Sequence, residues 1–258
     1  KYYILCFLLT ELICHYILKA TDDFKGREIC MRIGGLQKVT LLDYPSKVAC
    51  TVFLPGCNLR CPYCHNPSLV LPGQETEDIS PESLLAFLNT RRGKLDGVCV
   101  TGGEPTLHRD LPELLGQIRD LGFSVKLDTN GTNPEMLASL LQTGALDYVA
   151  MDIKNSPARY AQTCGGIDML PQVKKSAALL MRGTVEYEFR TTVCAPLHTP
   201  GDMEEIGRWL QGASRYFLQS FVDSGALVGT GMKPLSQEEL HALRDSVLPY
   251  IPNTKIRE

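Results

Sequence analysis

From residue 47 to residue 247 the chain alternates short apolar, β-rich runs with amphipathic helical stretches. That rhythm restricts the fold more than any other feature. Runs at 47–54, 97–101, 123–127, 147–153, 185–193 and 215–219 are bounded by turn-forming residues and read as buried strands. Helices are predicted between and after them. One starts at Ser80-Pro81, with Ser as N-cap and Pro in the first turn. Others cover 111–121, the stretch from Asn133 to Gly144, 171–181 and 202–210, and a last one follows the capping box Ser236-Gln237-Glu238-Glu239. Six such repeats with short loops imply an α/β fold with a parallel sheet and helices outside it. The sheet would be an open twisted one or a partial (β/α)6 barrel, and either gathers its chemistry at the carboxyl ends of the strands.

The loops expected at those ends carry unusual residues. After the first strand comes Cys57-Asn58-Leu59-Arg60-Cys61-Pro62-Tyr63-Cys64, three cysteines in eight residues. Thiolates this close can converge on iron–sulfur or zinc centres. A four-iron cubane held by three cysteines keeps one iron open for a substrate, as a catalytic zinc keeps one position open. A structural zinc would need a fourth ligand, and the nearby candidate, His65, sits directly beside Cys64. A disulfide would leave one cysteine over. Spacing alone favours the cluster without deciding it. The next strand ends supply Gly102-Gly103-Glu104-Pro105, Asp128-Thr129-Asn130-Gly131, Met151-Asp152-Ile153-Lys154 and Arg190-Thr191-Thr192. Each could be ordinary turn chemistry. Their joint placement on one rim beside three cysteines is what singles that rim out.

Composition excludes several classes. A length of 258 residues suits one barrel-sized domain. A net charge of −3 without a basic run gives no sign of nucleic-acid binding. Ten cysteines are too few for a disulfide scaffold, and Cys50 and Cys99 read as small fillers of buried strands. Residues 1–30 differ in character. Their apolar run is short for a membrane span and is interrupted by Glu11 and His15, so it is expected to be an extension outside the functional fold at 31–258. A membrane anchor is the alternative. The rest of the chain suggests a cytoplasmic protein.

Taken together, the cysteine triplet with Tyr63 before its last cysteine, the Gly-Gly-Glu-Pro turn, and the Asp-Thr-Asn-Gly and Met-Asp-Ile-Lys strand ends resemble the radical S-adenosylmethionine (SAM) superfamily over residues 31 to about 230. The stretches Cys64-His65-Asn66-Pro67, Lys126-Leu127-Asp128-Thr129-Asn130-Gly131 and Tyr187-Glu188-Phe189-Arg190-Thr191-Thr192 look like its glycyl-radical-enzyme activating branch, and most like anaerobic ribonucleoside-triphosphate reductase activating proteins.

The resemblance implies a partial (β/α)6 TIM-like barrel. It implies that Cys57, Cys61 and Cys64 hold a [4Fe-4S] cluster whose open iron is chelated by SAM. Gly102, Gly103 and Glu104 would line the methionine amino end; Asp128, Asp152 and Lys154 the ribose and carboxylate; Thr129 and Asn130 belong to the same loop; Arg190 would pair with the carboxylate and Tyr63 lie near the adenine. A monovalent cation at Asp128, Thr129, Asp152 and the Ala150 carbonyl is also implied, with adenine contacts near Gln219-Ser220-Phe221. No catalytic side chain beyond the cluster and SAM is expected, and His65, His108 and His198 are assigned structural or surface roles. The implied partners are a glycyl radical enzyme, foremost the large subunit of anaerobic ribonucleotide reductase, and a low-potential donor such as flavodoxin or ferredoxin. A deazaguanine-synthase-like enzyme acting on a metabolite and a non-enzymatic metal-binding module are the rival readings.

Overall fold

The computed structural model describes residues 31–71, 73, 76–223 and 225–257. The extension expected at residues 1–30 lies outside them. Eight strands form one sheet in chain order: β1 (Gly35–Thr40), β2 (Ala49–Leu54), β3 (Gly97–Gly102), β4 (Ser124–Thr129), β5 (Tyr148–Asp152), β6 (Glu186–Val193), β7 (Tyr216–Ser220) and β8 (Thr254–Arg257). β1 pairs antiparallel with β2, and every later neighbour is parallel. Strands β2 to β7 are the six predicted ones, in barrel order with β1 and β8 at the two edges. The fold is thus the expected partial (β/α)6 barrel, extended by one strand on each side.

Those two additions escaped the sequence pattern for a physical reason. β1 is an edge strand with three exposed residues, and β8 has only four residues, Thr-Lys-Ile-Arg. Neither is covered on both faces. The central strands are, and they read as continuous apolar runs. β2 and β3 each bury their first four residues completely or nearly so.

The helices are α1 (Pro67–Val70), α2 (Pro81–Asn89), α3 (Leu111–Asp120), α4 (Pro134–Gln142), α5 (Tyr160–Thr163), α6 (Leu170–Met181), α7 (Pro200–Trp209) and α8 (Gln237–Val247). Their starts follow capping chemistry. Ser80 Oγ accepts from the Ser83 N–H, and Asn133 Oδ1 from the Met136 N–H. Ser236 and Glu239 close the predicted capping box. Helix α7 starts two residues earlier than expected, because Thr199 and Asp202 form a second capping box that places Asp202 at the third helical position. Helices α1 and α5 are single turns too short to leave a periodic signature. The longer helices press one apolar stripe onto the sheet. In α3 that stripe is Leu111, Leu114, Leu115 and Ile118, all fully buried. Truncating a residue such as Leu114 to Ala would cost about 2–5 kcal/mol.

Candidate active site

The carboxyl ends of β2 to β6 surround a cavity of about 190 Å³. Its walls include Cys57, Cys61, Tyr63 and Cys64 from the loop after β2, Gly102 and Gly103 from the end of β3, Asp128, Thr129 and Asn130 after β4, and Asp152 and Lys154 after β5. Leu59, His65, Asn66, Val70, Thr101 and Thr192 complete it and were not foreseen as lining. Two expected residues stand behind the wall. Glu104 is fully buried, and Arg190 reaches the cavity only through its partners Asp128 and Asp152.

The cysteine loop is held from several distant parts of the chain. Arg60 Nη1 donates to the carbonyls of Cys57 at 2.6 Å and Leu59 at 2.8 Å. The Arg60 N–H donates to the Cys164 carbonyl at 3.1 Å, the Val228 N–H to the Cys64 carbonyl at 3.3 Å and the Gly229 N–H to the Pro62 carbonyl at 2.8 Å. His108 Nε2 lies 2.8 Å from the Pro55 carbonyl. Apart from Arg60, which belongs to the loop itself, these partners carry no local sequence signal, since each is defined only once the chain has folded.

Gly102 and Gly103 tie β3 to the mouth of that loop. The Gly103 N–H donates to the Leu54 carbonyl and the Glu104 N–H to the Gly56 carbonyl. A Cβ on Gly102 would stand 2.2 Å from the Leu54 carbonyl oxygen, and one on Gly103 2.0 Å from that of Gly56. Gly102 also has φ of +126°. Only glycine fits both positions, and the contact that demands it is with the cysteine loop itself. Glu104 turns inward and is fully buried. Its carboxylate accepts from the Thr106 N–H and Oγ1, from Thr129 Oγ1 at 2.7 Å and from the Asn130 N–H at 2.6 Å. It is the post on which the β4 loop hangs.

The thiols differ in ionisation. The neighbouring Cys164 thiol lowers Cys61 to about 7, against the effect of burial and with help from the Lys154 charge. Burial pushes Cys57 and Cys64 up. Ligation requires thiolates, so binding at this loop releases protons. Among the described residues no three His, Cys, Asp or Glu side chains converge on a single metal ion. The Tyr63 ring is 4% exposed, and its hydroxyl has no conventional hydrogen-bond partner. A buried polar atom in a cavity wall is a fitting place for a polar ligand.

Below the cavity runs a chain of alternating charges. Lys154 Nζ pairs with Asp152 Oδ2 at 3.0 Å. Arg190 Nε holds Asp152 Oδ1 at 2.9 Å, while its Nη1 holds Asp128 Oδ2 at 3.1 Å. Asp128 also pairs with Lys126, which is 2% exposed. Burial alone would raise both carboxyls, but Arg190 and Lys126 hold Asp128 low, and Arg190 with Lys154 hold Asp152 at about 2. Each carboxylate is therefore already neutralised by cationic side chains. These residues do not fit the implied inorganic cation, whose place the chain's own ammonium and guanidinium groups have taken. Cys99, predicted to be a filler, is fully buried but also touches Lys126 Nζ and Asp128 at 3.7 Å. Of the three cations only Lys154 lines the cavity, where its ammonium can meet an anionic ligand group.

His198 and His65 both pack against neighbouring groups, and His65 also lines the cavity. His198 Nδ1 accepts from the Cys194 N–H, its Nε2 sits 2.9 Å from the Lys154 carbonyl, and burial lowers its pKa. His65 stacks on Phe221 with ring centroids 5.2 Å apart. Phe221 is 1% exposed under that ring, and neither Gln219 nor Ser220 lines the cavity. The adenine contacts expected near Gln219-Ser220-Phe221 are accordingly not part of this wall.

The fold and this rim define a class. Residues 51–210 match the model of the Radical SAM superfamily, and the chain belongs to that superfamily. It is 32% identical over 235 residues to a proposed glycyl-radical enzyme activating enzyme of Methanocaldococcus jannaschii, covering 87% of this chain and 95% of that one. Two solved structures share the fold. A domain of pyruvate-formate lyase-activating enzyme from Bacteroides vulgatus superposes with a TM-score of 0.52 at 16% identity, over 63% of this chain and 99% of that chain. Streptococcus suis SuiB bound to S-adenosylmethionine gives 0.63 at 14% identity, over 81% of this chain and 52% of that chain. A [4Fe-4S] cluster and SAM are the cofactors of the superfamily, and the thiol-lined cavity fits them. Among the described residues no helix is long and apolar enough to cross a membrane.

Proposed function

We propose that this chain is a glycyl-radical-enzyme activase of the cytoplasm, acting most directly on anaerobic ribonucleoside-triphosphate reductase. The observation that carries the reading is the rim where three thiols, two backbone glycines and the Lys154 ammonium face one cavity. Near full-length similarity to a proposed activating enzyme supports the same branch.

In this reading Cys57, Cys61 and Cys64 hold the cluster, and its fourth iron is left to SAM. When bound, the pair would supply one-electron reductive cleavage of SAM, with the electron coming from the low-potential donor, and with it the hydrogen-atom abstraction that making a glycyl radical requires. The chain's own residues bind and orient. Lys154 offers its ammonium to the methionyl carboxylate, and Asp152 and Asp128, fixed in place by Arg190, present acceptor oxygens to ribose hydroxyls. Tyr63 gives an apolar ring and a hydroxyl to the adenosyl end. No protein general base is called for.

The test is anaerobic reconstitution with iron and sulfide, followed by electron paramagnetic resonance of the reduced protein with and without SAM. A [4Fe-4S] signal that changes on adding SAM, and a glycyl-radical doublet when the reductase large subunit and a reduced flavodoxin or ferredoxin are added, are expected. Turnover of a small molecule without a protein substrate would favour a deazaguanine-synthase-like activity. A signal indifferent to SAM would favour a metal-binding module.

A further inference from the structure

Resting on that reading, we infer that Asn130 is a positioning and potential-setting residue of the cluster, acting on Cys57 instead of on SAM. Cys57 Sγ accepts two hydrogen bonds, from the Leu59 N–H at 3.4 Å and from Asn130 Nδ2 at 3.8 Å. The first is local to the loop. The second comes from the end of β4, the next strand but one.

The orientation of the Asn130 amide is fixed by its other contacts. The Thr132 N–H, which can only donate, lies 3.0 Å from Oδ1, and Thr132 Oγ1 donates to the same oxygen at 2.7 Å. The NH2 group must therefore face the other way. There it meets the Asn58 Oδ1 acceptor at 3.1 Å and the Cys57 sulfur. Asn130 is 5% exposed, and its own N–H is held by buried Glu104 at 2.6 Å. The donor cannot swing away, and water does not compete for it.

A rigid N–H aimed at a cluster thiolate has a defined consequence. It withdraws charge from the sulfur and stabilises the cluster state carrying the extra electron, so it raises the reduction potential. Asn58 bridges the same two loops but does not touch the sulfur. Its Nδ2 donates to Thr132 Oγ1 at 2.9 Å. Asn58 thus braces the loops and helps orient the Asn130 amide, whereas Asn130 is the one that donates to the sulfur.

The experiment is a potentiometric titration, followed by electron paramagnetic resonance, of the full chain reconstituted with cluster and without SAM. Asn130→Asp keeps the acceptor for Thr132 and deletes the donor. Its midpoint is expected to move to a more negative value while iron and sulfide content stay unchanged. Asn130→Ser, which adds no charge, should move in the same direction by less. Asn58→Ala, which leaves the Asn130 donor in place, should move the midpoint less than either Asn130 variant. Unchanged midpoints in both Asn130 variants would overturn the inference, as would an equal shift in Asn58→Ala. Failure of both Asn130 variants to load a cluster that Asn58→Ala still loads would also overturn it, in favour of a purely bracing role. If the unaltered chain itself takes up no [4Fe-4S] cluster, the functional reading fails first, and the two failures are distinguishable.

Discussion

Arg190→Leu tests the charge chain under the cavity. Arg190 is the sole link between Asp128 and Asp152 in that chain, and its side chain is 12% exposed. Removing one partner of a buried ion pair costs about 3–5 kcal/mol, because a charge is left without compensation. Here each carboxylate keeps a lysine, Lys126 for Asp128 and Lys154 for Asp152. The low end, about 3 kcal/mol, is therefore expected. For a domain of this size each kcal/mol moves Tm by about 2–4 °C, so the loss should be about 6–12 °C. The assay is a circular-dichroism melt of the cluster-free protein at neutral pH, in low salt and in high salt. Buried pairs are poorly screened, so the difference should survive salt. Arg190→Lys should recover part of it, since one ammonium cannot span both carboxylates. Adding Asp128→Asn to Arg190→Leu should cost less than the two single changes together. A Tm drop below about 2 °C, or one abolished by salt, would refute the claim that the guanidinium holds these strand ends together.

Cys61→Ala should abolish SAM cleavage, read as 5′-deoxyadenosine by chromatography, while the far-ultraviolet spectrum is retained. Gly103→Ala places a methyl 2.0 Å from the Gly56 carbonyl oxygen, so it should cut cluster uptake at least tenfold, measured as iron per chain. SAM binding, measured calorimetrically on the reconstituted protein, should be the same within about twofold in potassium and in choline buffers, because Lys126, Lys154 and Arg190 already neutralise the carboxylates. Asp152, held at about 2 against a reference of 3.8, contributes stability that is present above about pH 4 and lost as pH falls toward 2. That contribution is about 2 kcal/mol, so the extra acid sensitivity of the unaltered chain over Asp152→Asn should be confined to that window in urea melts.

Strong local signals made much of this legible in the sequence. Six strands buried on both faces, the Ser80, Asn133 and Ser236 caps, and the cysteine triplet are short-range patterns set by residue chemistry. The rim was legible as well, because parallel repeats place each strand end on one side whatever the details. What sequence reasoning missed is tertiary. Glu104 was assigned to SAM on its motif, yet its oxygens are taken by the backbone and hydroxyls of residues that meet it only after β3 and β4 pair. Asp128 and Asp152 suggested a cation site, but Lys126, two residues before Asp128 on the same strand, and Arg190, from β6 across the sheet, already pair with these carboxylates. Arg60, Cys164, Val228 and Gly229, which grip the cysteine loop, look unremarkable where they stand in the chain. Edge strands β1 and β8 lack the double burial that makes a strand conspicuous.

The grip on the cysteine loop also orders events during synthesis. Its carbonyls are satisfied by groups from four stretches, the last of them Val228 and Gly229 near the end of the fold. On the ribosome the thiols emerge early, whereas the last backbone donors that fix their loop, Val228 and Gly229, emerge after nearly the whole barrel has been made. Such long-range closure is slow. A nascent chain therefore carries three incompletely braced, oxidisable sulfurs until residues 228 and 229 have been made.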